Sequence, residues 1–233
     1  MSVLNYSRTD YIDPILGGVE ILNRSFDTSK KGTLGMIVKK GSQYFGLTAL
    51  HVLIDYHGEG SDLHNLDNYS GFNSELIDDR NGIIIQPAVQ GYKSGLVLKQ
   101  PEYFDPDNDA GIYILMGRTF NPNQHINAME GKIERILTST ELIQGTKVKK
   151  MGIGTNETHG IIESVNENGK MTIVADPKDG HDVSAGGDSG AIWCLNNNEK
   201  WLTAIGLHSE GKGPAAIAYS LSKIFLKLKI ELL

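Results

Sequence analysis

Three polar side chains stand beside apolar runs, and their chemistry is complementary. Ser189 lies in Gly187-Asp188-Ser189-Gly190, with Gly186 just before it. Glycines let a backbone take positive φ and come close to a ligand. The run Ala191-Ile192-Trp193-Cys194-Leu195 that follows suits a buried strand. A serine on a tight glycine turn at a strand entrance exposes its hydroxyl while backbone N–H groups turn to the same point, which favours nucleophilic attack on an acyl carbon. Such a nucleophile needs a base and a group to orient the base. His51 ends the apolar segment Tyr44-Phe45-Gly46-Leu47-Thr48-Ala49-Leu50. Asp107 and Asp109 both precede the strand-like run Ala110-Gly111-Ile112-Tyr113-Ile114-Leu115.

The elements that must hold these groups are mostly strands. Residues 33–40 alternate and reach the turn signal Lys40-Gly41-Ser42, so 44–53 is predicted as the return strand that delivers His51. Residues 82–89 and 94–99 read as strands, and 55–80 as a long polar surface loop. Residues 118–134 read as a connection. Strands are predicted over 145–151, 160–165 and 171–175, with turns at 166–169 and 177–180, and again over 201–209 and 215–219. The tail 220–233 carries Leu221, Ile224, Phe225, Leu228 and Leu232 at the spacing of an amphipathic helix. The polar residues 1–14 are expected to form an arm or a strand wrapping the second half of the chain.

Composition narrows the function classes. The chain has 233 residues, 27 glycines and 21% charged residues, consistent with a β-rich globular protein able to bury its own core. A net charge of −6 without a basic cluster argues against a nucleic-acid partner. One cysteine, Cys194, excludes an internal disulfide and points to a reducing compartment, so a cytoplasmic location is expected. The first residues have no apolar core of a signal peptide, and no run approaches the ~20 residues of a membrane span. His57, Asp62 and His64 match no zinc spacing. Asp105, Asp107 and Asp109 fit the odd positions of a calcium loop, but Ala110 and Met116 occupy the places of its glycine and glutamate. No metal or cofactor is expected.

The order His, Asp, Ser is that of the chymotrypsin arrangement. Thr48-Ala49-Leu50-His51, Asp109-Ala110-Gly111-Ile112 and Gly187-Asp188-Ser189-Gly190 resemble the three motifs of chymotrypsin-like peptidases. Gly17-Gly18-Val19-Glu20-Ile21, Gly32-Thr33-Leu34-Gly35, Ala49-Leu50-His51-Val52-Leu53 and, partially, 148–160 are similar to the cysteine-poor intracellular trypsin-like peptidases, including the plant narrow-leaf type and its bacterial relatives. The resemblance runs from about Gly17 to the C-terminus.

It implies an all-β fold of two six-stranded antiparallel β-barrels closed by a C-terminal α-helix. The arm would be 1–14, the first barrel 15–120, the second 121–219 and the helix 220–233. It implies a serine endopeptidase acting on a protein or peptide, with His51 as base and Asp109, ahead of the fallback Asp107, as orienter. The oxyanion donors would be the N–H groups of Gly187 and Ser189. Val183 and Ser184 would lie at the base of the primary pocket, with Ser209, Glu210 and Gly211 along its wall. Val183 and Ala216 suit a medium apolar side chain, whereas His208 and Ser184 resemble the pair with which glutamyl endopeptidases bind an acidic one; Glu210 would oppose the latter. Ile15 raises the comparison with trypsin zymogens, in which a freed amine pairs with the residue matching Asp188, although the cut would fall after Pro14. A regulatory protein partner would restrain such an activity, and a silent binding module on the same fold is the alternative.

Overall fold

Alternating apolar residues and glycine turns build two sheets in the computed structural model, which describes residues 6–7, 9–54, 82–88, 91–98, 100–120, 126–178, 182–197 and 201–233. The first half carries β1 (Val19–Asn23), β2 (Gly32–Leu34), β3 (Met36–Lys40), β4 (Gln43–Ala49), the single helical turn α1 (Leu50–Leu53), β5 (Ile83–Ile85), β6 (Lys93–Leu96), β7 (Phe104–Asp105) and β8 (Ala110–Leu115). The second carries β9 (Ile133–Ile136), β10 (Lys147–Gly152), β11 (Asn156–Val165), β12 (Lys170–Ala175), β13 (Ile192–Leu195), β14 (Leu202–Lys212), β15 (Ala215–Ser220) and the helix α2 (Leu221–Leu228). His57, Asp62, His64 and the predicted loop around them lie outside the described residues.

The first sheet runs β2-β1-β5-β6-β8-β4-β3, with the short β7 beside β8. Its two end strands are successive parts of one stretch, separated only by Gly35, whose N–H donates to the Leu47 carbonyl at 2.9 Å. The stretch pairs with β1 through its first half and with β4 through its second. Both edges of the sheet therefore run into one strand, and the sheet curls on itself. In the second sheet β13 pairs with both β10 and β14, closing a ring of six antiparallel strands: β13, β10, β11, β12, β15 and β14.

One strand departs from the antiparallel expectation. β9 pairs with β14 in parallel at Leu202–Ala204. The partner β15 begins its register only at Gly206, so β9 covers the stretch of β14 that β15 does not reach. Two strands are shorter than predicted: β5 covers only 83–85 of 82–89, and β6 runs 93–96 in place of 94–99.

A single apolar cluster spans the seam. It joins Phe45, Leu47 and Ile112 of the first barrel, Ile192 and Leu207 of the second, and Leu221, Ile224 and Leu228 of α2. The helix is shorter than the predicted 220–233. It stops where Lys229 turns left-handed at φ 52°, and Glu231 then exchanges hydrogen bonds with Lys39 on the edge of β3, at 2.8 and 3.0 Å. The N-terminal arm is likewise re-sited. Gln86 accepts from the Ile12 N–H at 3.2 Å, Arg118 stacks 3.6 Å over Tyr11, and Asn127 binds Tyr6, so the described part of the arm is tied to the first barrel and the connection.

Asp105, in β7, is fully buried, and its Oδ1 has no hydrogen-bond partner among the described residues. Burial raises its pKa, opposed in part by the Asn108 amide, which donates to Oδ2 at 2.7 Å. A carboxyl raised in the folded state stabilises the fold fully below its unfolded value, and that contribution is lost as pH rises through the folded value. Asp105→Asn keeps an acceptor for Asn108 and removes the charge. Its unfolding free energy should match the parent's near pH 4 and exceed it increasingly toward pH 8, by on the order of 1 kcal/mol, read from thermal unfolding at each pH. A gain that does not vary with pH would sink this account.

Candidate active site

β4 ends at Ala49, and the next four residues make one helical turn instead of the predicted continuation of the strand. The Leu50 N–H donates to the Asp109 carbonyl at 3.0 Å, and the Ile54 N–H to the Leu50 carbonyl at 3.0 Å. Leu50, Val52 and Leu53 face the core, and His51 is left with its side chain 22% exposed. Asp109 sits at φ 46°, ψ 47°, a left-handed conformation that aspartate tolerates better than most residues. That kink after the turn Pro106–Asn108 swings its carboxylate under the histidine. His51 Nδ1 lies 2.8 Å from Asp109 Oδ2, and the His51 N–H donates to Oδ1 at 3.2 Å. Asp107 is exposed on the turn. With Asp109 as acceptor, Nδ1 carries the proton and the Nε2 lone pair is the basic position.

Ser209 completes this cluster. Its hydroxyl donates to Asp109 Oδ2 at 2.6 Å, and its carbonyl accepts from the Ser189 hydroxyl at 3.0 Å. The register of β14 on β15 slips between His208 and Glu210, leaving Ser209 as the extra residue of a bulge. Bulges re-aim side chains in this way. Ser209 was expected on the pocket wall; its side chain is instead turned to Asp109.

The loop carrying Ser189 is held by buried charges. Asp188 and Lys150 are both fully buried, with Lys150 Nζ 2.9 Å from Asp188 Oδ2. Oδ2 also accepts from the Thr155 hydroxyl at 2.8 Å and the Ala185 N–H at 3.0 Å, and Oδ1 from the N–H groups of Gly154 at 2.9 Å and Thr155 at 3.1 Å. Burial pushes the Asp188 carboxyl up, but the Lys150 ammonium and these hydrogen bonds more than offset it and hold the group below its usual range. Ile15, the zymogen-like candidate partner, is fully buried in the first barrel, with its N–H on the Thr119 carbonyl at 2.9 Å. The cation facing Asp188 is thus an internal side chain from β10. Gly187 at φ 100° and Gly190 at φ 94° need glycine; a Cβ on Gly190 would meet Thr48 Oγ1 at 2.1 Å. Among the described residues the N–H groups of Gly187 and Ser189 donate to no protein acceptor.

Val183, Ser184, His208 and Gly211 do come together. The indole N–H of Trp193 donates to His208 Nδ1 at 3.3 Å, and His208 Nε2 lies 3.1 Å from Ser184 Oγ. An indole only donates, so Nδ1 is the acceptor, Nε2 carries the hydrogen, and the Ser184 oxygen receives it. Burial, reinforced by the charge of Lys150, pushes the His208 pKa down to about 3, so the ring is neutral near pH 7. A Cβ on Gly211 would lie 2.8 Å from Ser184 Oγ, and Gly211 pairs with Ala216 across the two strands. Glu210 points to solvent. Burial raises the Cys194 thiol to about 12, so it is no rival nucleophile.

Sequence reasoning missed Lys150, Thr33, Thr155 and the turned side chain of Ser209. A lysine two residues after the buried Val148 in one strand was a usable signal, since alternation points both inward. No pattern announces a bulge at Ser209.

No family model matches the chain, and no curated protein matches it. Solved structures do. A glutamic acid specific serine protease, described as using a novel histidine triad in substrate binding, is 18% identical, with 94% of this chain and 100% of that chain covered and a TM-score of 0.62. Protease A of Thermobifida fusca is 19% identical, with 94% and 98% covered and a TM-score of 0.60. The chymotrypsin of Cellulomonas bogoriensis is 15% identical, with the same coverage and a TM-score of 0.60. With its two sheets and its closing helix, the chain has the chymotrypsin-like double-barrel fold that these serine proteases share.

Proposed function

We propose that the chain is a serine endopeptidase. The observation that carries this reading is the cluster Ser209–Asp109–His51 set against Ser189, on a loop with two unengaged N–H groups. The Ser189 hydroxyl turns its hydrogen from the Ser209 carbonyl to His51 Nε2, and its oxygen adds to the substrate carbonyl. His51 takes the proton and is charged while Asp109 faces it. The carbonyl electrons move to the oxygen, which the Gly187 and Ser189 N–H groups stabilise. Collapse breaks the C–N bond as His51 gives the proton to the leaving amine, and water then repeats the sequence on the acyl-enzyme.

The primary pocket takes a neutral hydrogen-bond acceptor. Trp193 fixes His208 as donor to Ser184, so the Ser184 hydroxyl has its own hydrogen left to give. His208 is held uncharged by burial and Glu210 stands exposed two positions along β14, which disfavours a carboxylate, whereas a carboxamide carbonyl needs only a donor.

Fluorophosphonate labelling read by intact mass and peptide mapping tests the first point. One adduct, on the peptide containing Ser189, is expected. A peptide library then reads cleavage after glutamine or asparagine at least ~10-fold above cleavage after glutamate. No adduct under conditions that label trypsin rejects the enzyme reading in favour of a binding module. Preference for glutamate or arginine rejects the pocket reading alone.

A further inference from the structure

In the proposed mechanism the two N–H groups that meet the reacting oxygen belong to Gly187 and Ser189, and one peptide lies between them. That peptide, the carbonyl of Gly187 with the N–H of Asp188, contributes neither donor, yet its tilt sets the angle between them. It is pinned at both ends. Its N–H donates to the Ala185 carbonyl at 3.2 Å. Its carbonyl accepts from the hydroxyl of Thr33 at 2.8 Å, and Thr33 belongs to β2 of the other barrel.

Thr33 is fully buried, and its N–H and hydroxyl are used across this seam while its carbonyl is held within its own barrel. Its Oγ1 accepts from the Ile153 N–H at 3.1 Å, so the hydroxyl hydrogen is committed to Gly187. Its N–H donates to the Ser189 carbonyl at 2.8 Å, and its own carbonyl accepts from Thr48 Oγ1 at 2.8 Å. One residue thus fixes the peptide planes on either side of the Ser189 N–H: the Gly187 carbonyl before it and the Ser189 carbonyl after it. Ile153, held by the same hydroxyl, packs beneath Gly187, where a Cβ would lie 3.0 Å from Ile153 Cγ1. Glycine at 187 leaves the backbone free to rotate at φ 100°, so the orientation must come from outside the loop.

We infer that Thr33 is a positioning residue for the oxyanion site, acting across the barrel seam through the Gly187 carbonyl. The inference rests on the reading of Ser189 as nucleophile. Thr33→Val keeps the shape and removes the hydroxyl, leaving the Gly187 carbonyl without its donor and the Ile153 N–H without its acceptor. Thr33→Ser keeps the hydroxyl. The valine variant should lose about 10- to 100-fold in kcat with KM within about twofold, because the donors are aimed at an oxygen that becomes anionic only in the transition state. The serine variant should recover most of that loss. A second readout does not need turnover: amide hydrogen exchange of the 185–190 segment, by mass spectrometry, should speed up in Thr33→Val and stay near parent in Thr33→Ser. Parent kcat and parent exchange in the valine variant overturn the inference, as does a serine variant as impaired as valine. If the parent itself hydrolyses nothing and takes no fluorophosphonate, the proposed function fails, and the exchange result still decides whether Thr33 holds the loop.

Discussion

Replacing Ser189 by alanine is expected to lower kcat by about 10⁶-fold, and His51→Ala by nearly as much. The double variant should be little worse than either single one. The two side chains perform one act: proton removal from Ser189 has no value without the nucleophile, and the nucleophile is weak without Nε2 to receive its proton. What survives should be the slow hydrolysis supported by binding and by the Gly187 and Ser189 N–H groups, because the backbone of the loop is set by Asp188, Thr33 and the glycines rather than by either deleted side chain. The measurement is initial rate on a cleaved peptide with circular dichroism beside it. Folded Ser189→Ala protein that retains more than about a hundredth of parent kcat would point to a different nucleophile.

Lys150→Met should damage the protein more broadly. The substitution leaves the Asp188 carboxylate buried without its cation, a change that typically costs 3–5 kcal/mol, or roughly 6 to 20 °C in Tm for a chain of this length. The Asp188 pKa is depressed in the parent, so its stabilising contribution is present above the unfolded value and is lost as pH falls through the folded one. Without Lys150 only burial and the hydrogen bonds remain, the pKa rises, and the sign of the pH dependence reverses: the variant should gain on the parent as the solution is acidified. Lys150→Met combined with Asp188→Asn should recover most of the stability, since no lone charge is then buried. Thermal unfolding of the three proteins at pH 5 and pH 8 checks this. Equal Tm for parent and Lys150→Met at pH 8 would mean that the ion pair contributes no net stability.

The two barrels and the residues at their seam were legible because their signals are local. Gly187-Asp188-Ser189-Gly190, Ala49-Leu50-His51 and Asp109-Ala110-Gly111 each join a polar residue to an adjacent apolar run, and a strand of alternating residues has only one buried face. Helix α2 was legible from its spacing, but its end was not: the tail stops being helical where Glu231 finds the free edge of β3, a contact between residues almost two hundred positions apart in sequence. Separation in sequence also hid Thr33 from Gly187, 154 positions apart, and Lys150 from Asp188, 38 apart. His51 was placed at the end of a strand, and it stands on a helical turn because the Leu50 N–H is captured by the Asp109 carbonyl. The pocket was the least legible part. Its character depends on which nitrogen of His208 carries a hydrogen, and that is decided by Trp193 across two strands.

The internal cation facing Asp188 has a consequence for timing. Lys150, Thr155 and Asp188 all lie within one barrel, and none of them is a chain end that must first be made. The loop takes its shape when the second barrel folds around Lys150 and docks against the first, whose Thr33 holds the Gly187 carbonyl, so its assembly time is the time of folding and docking.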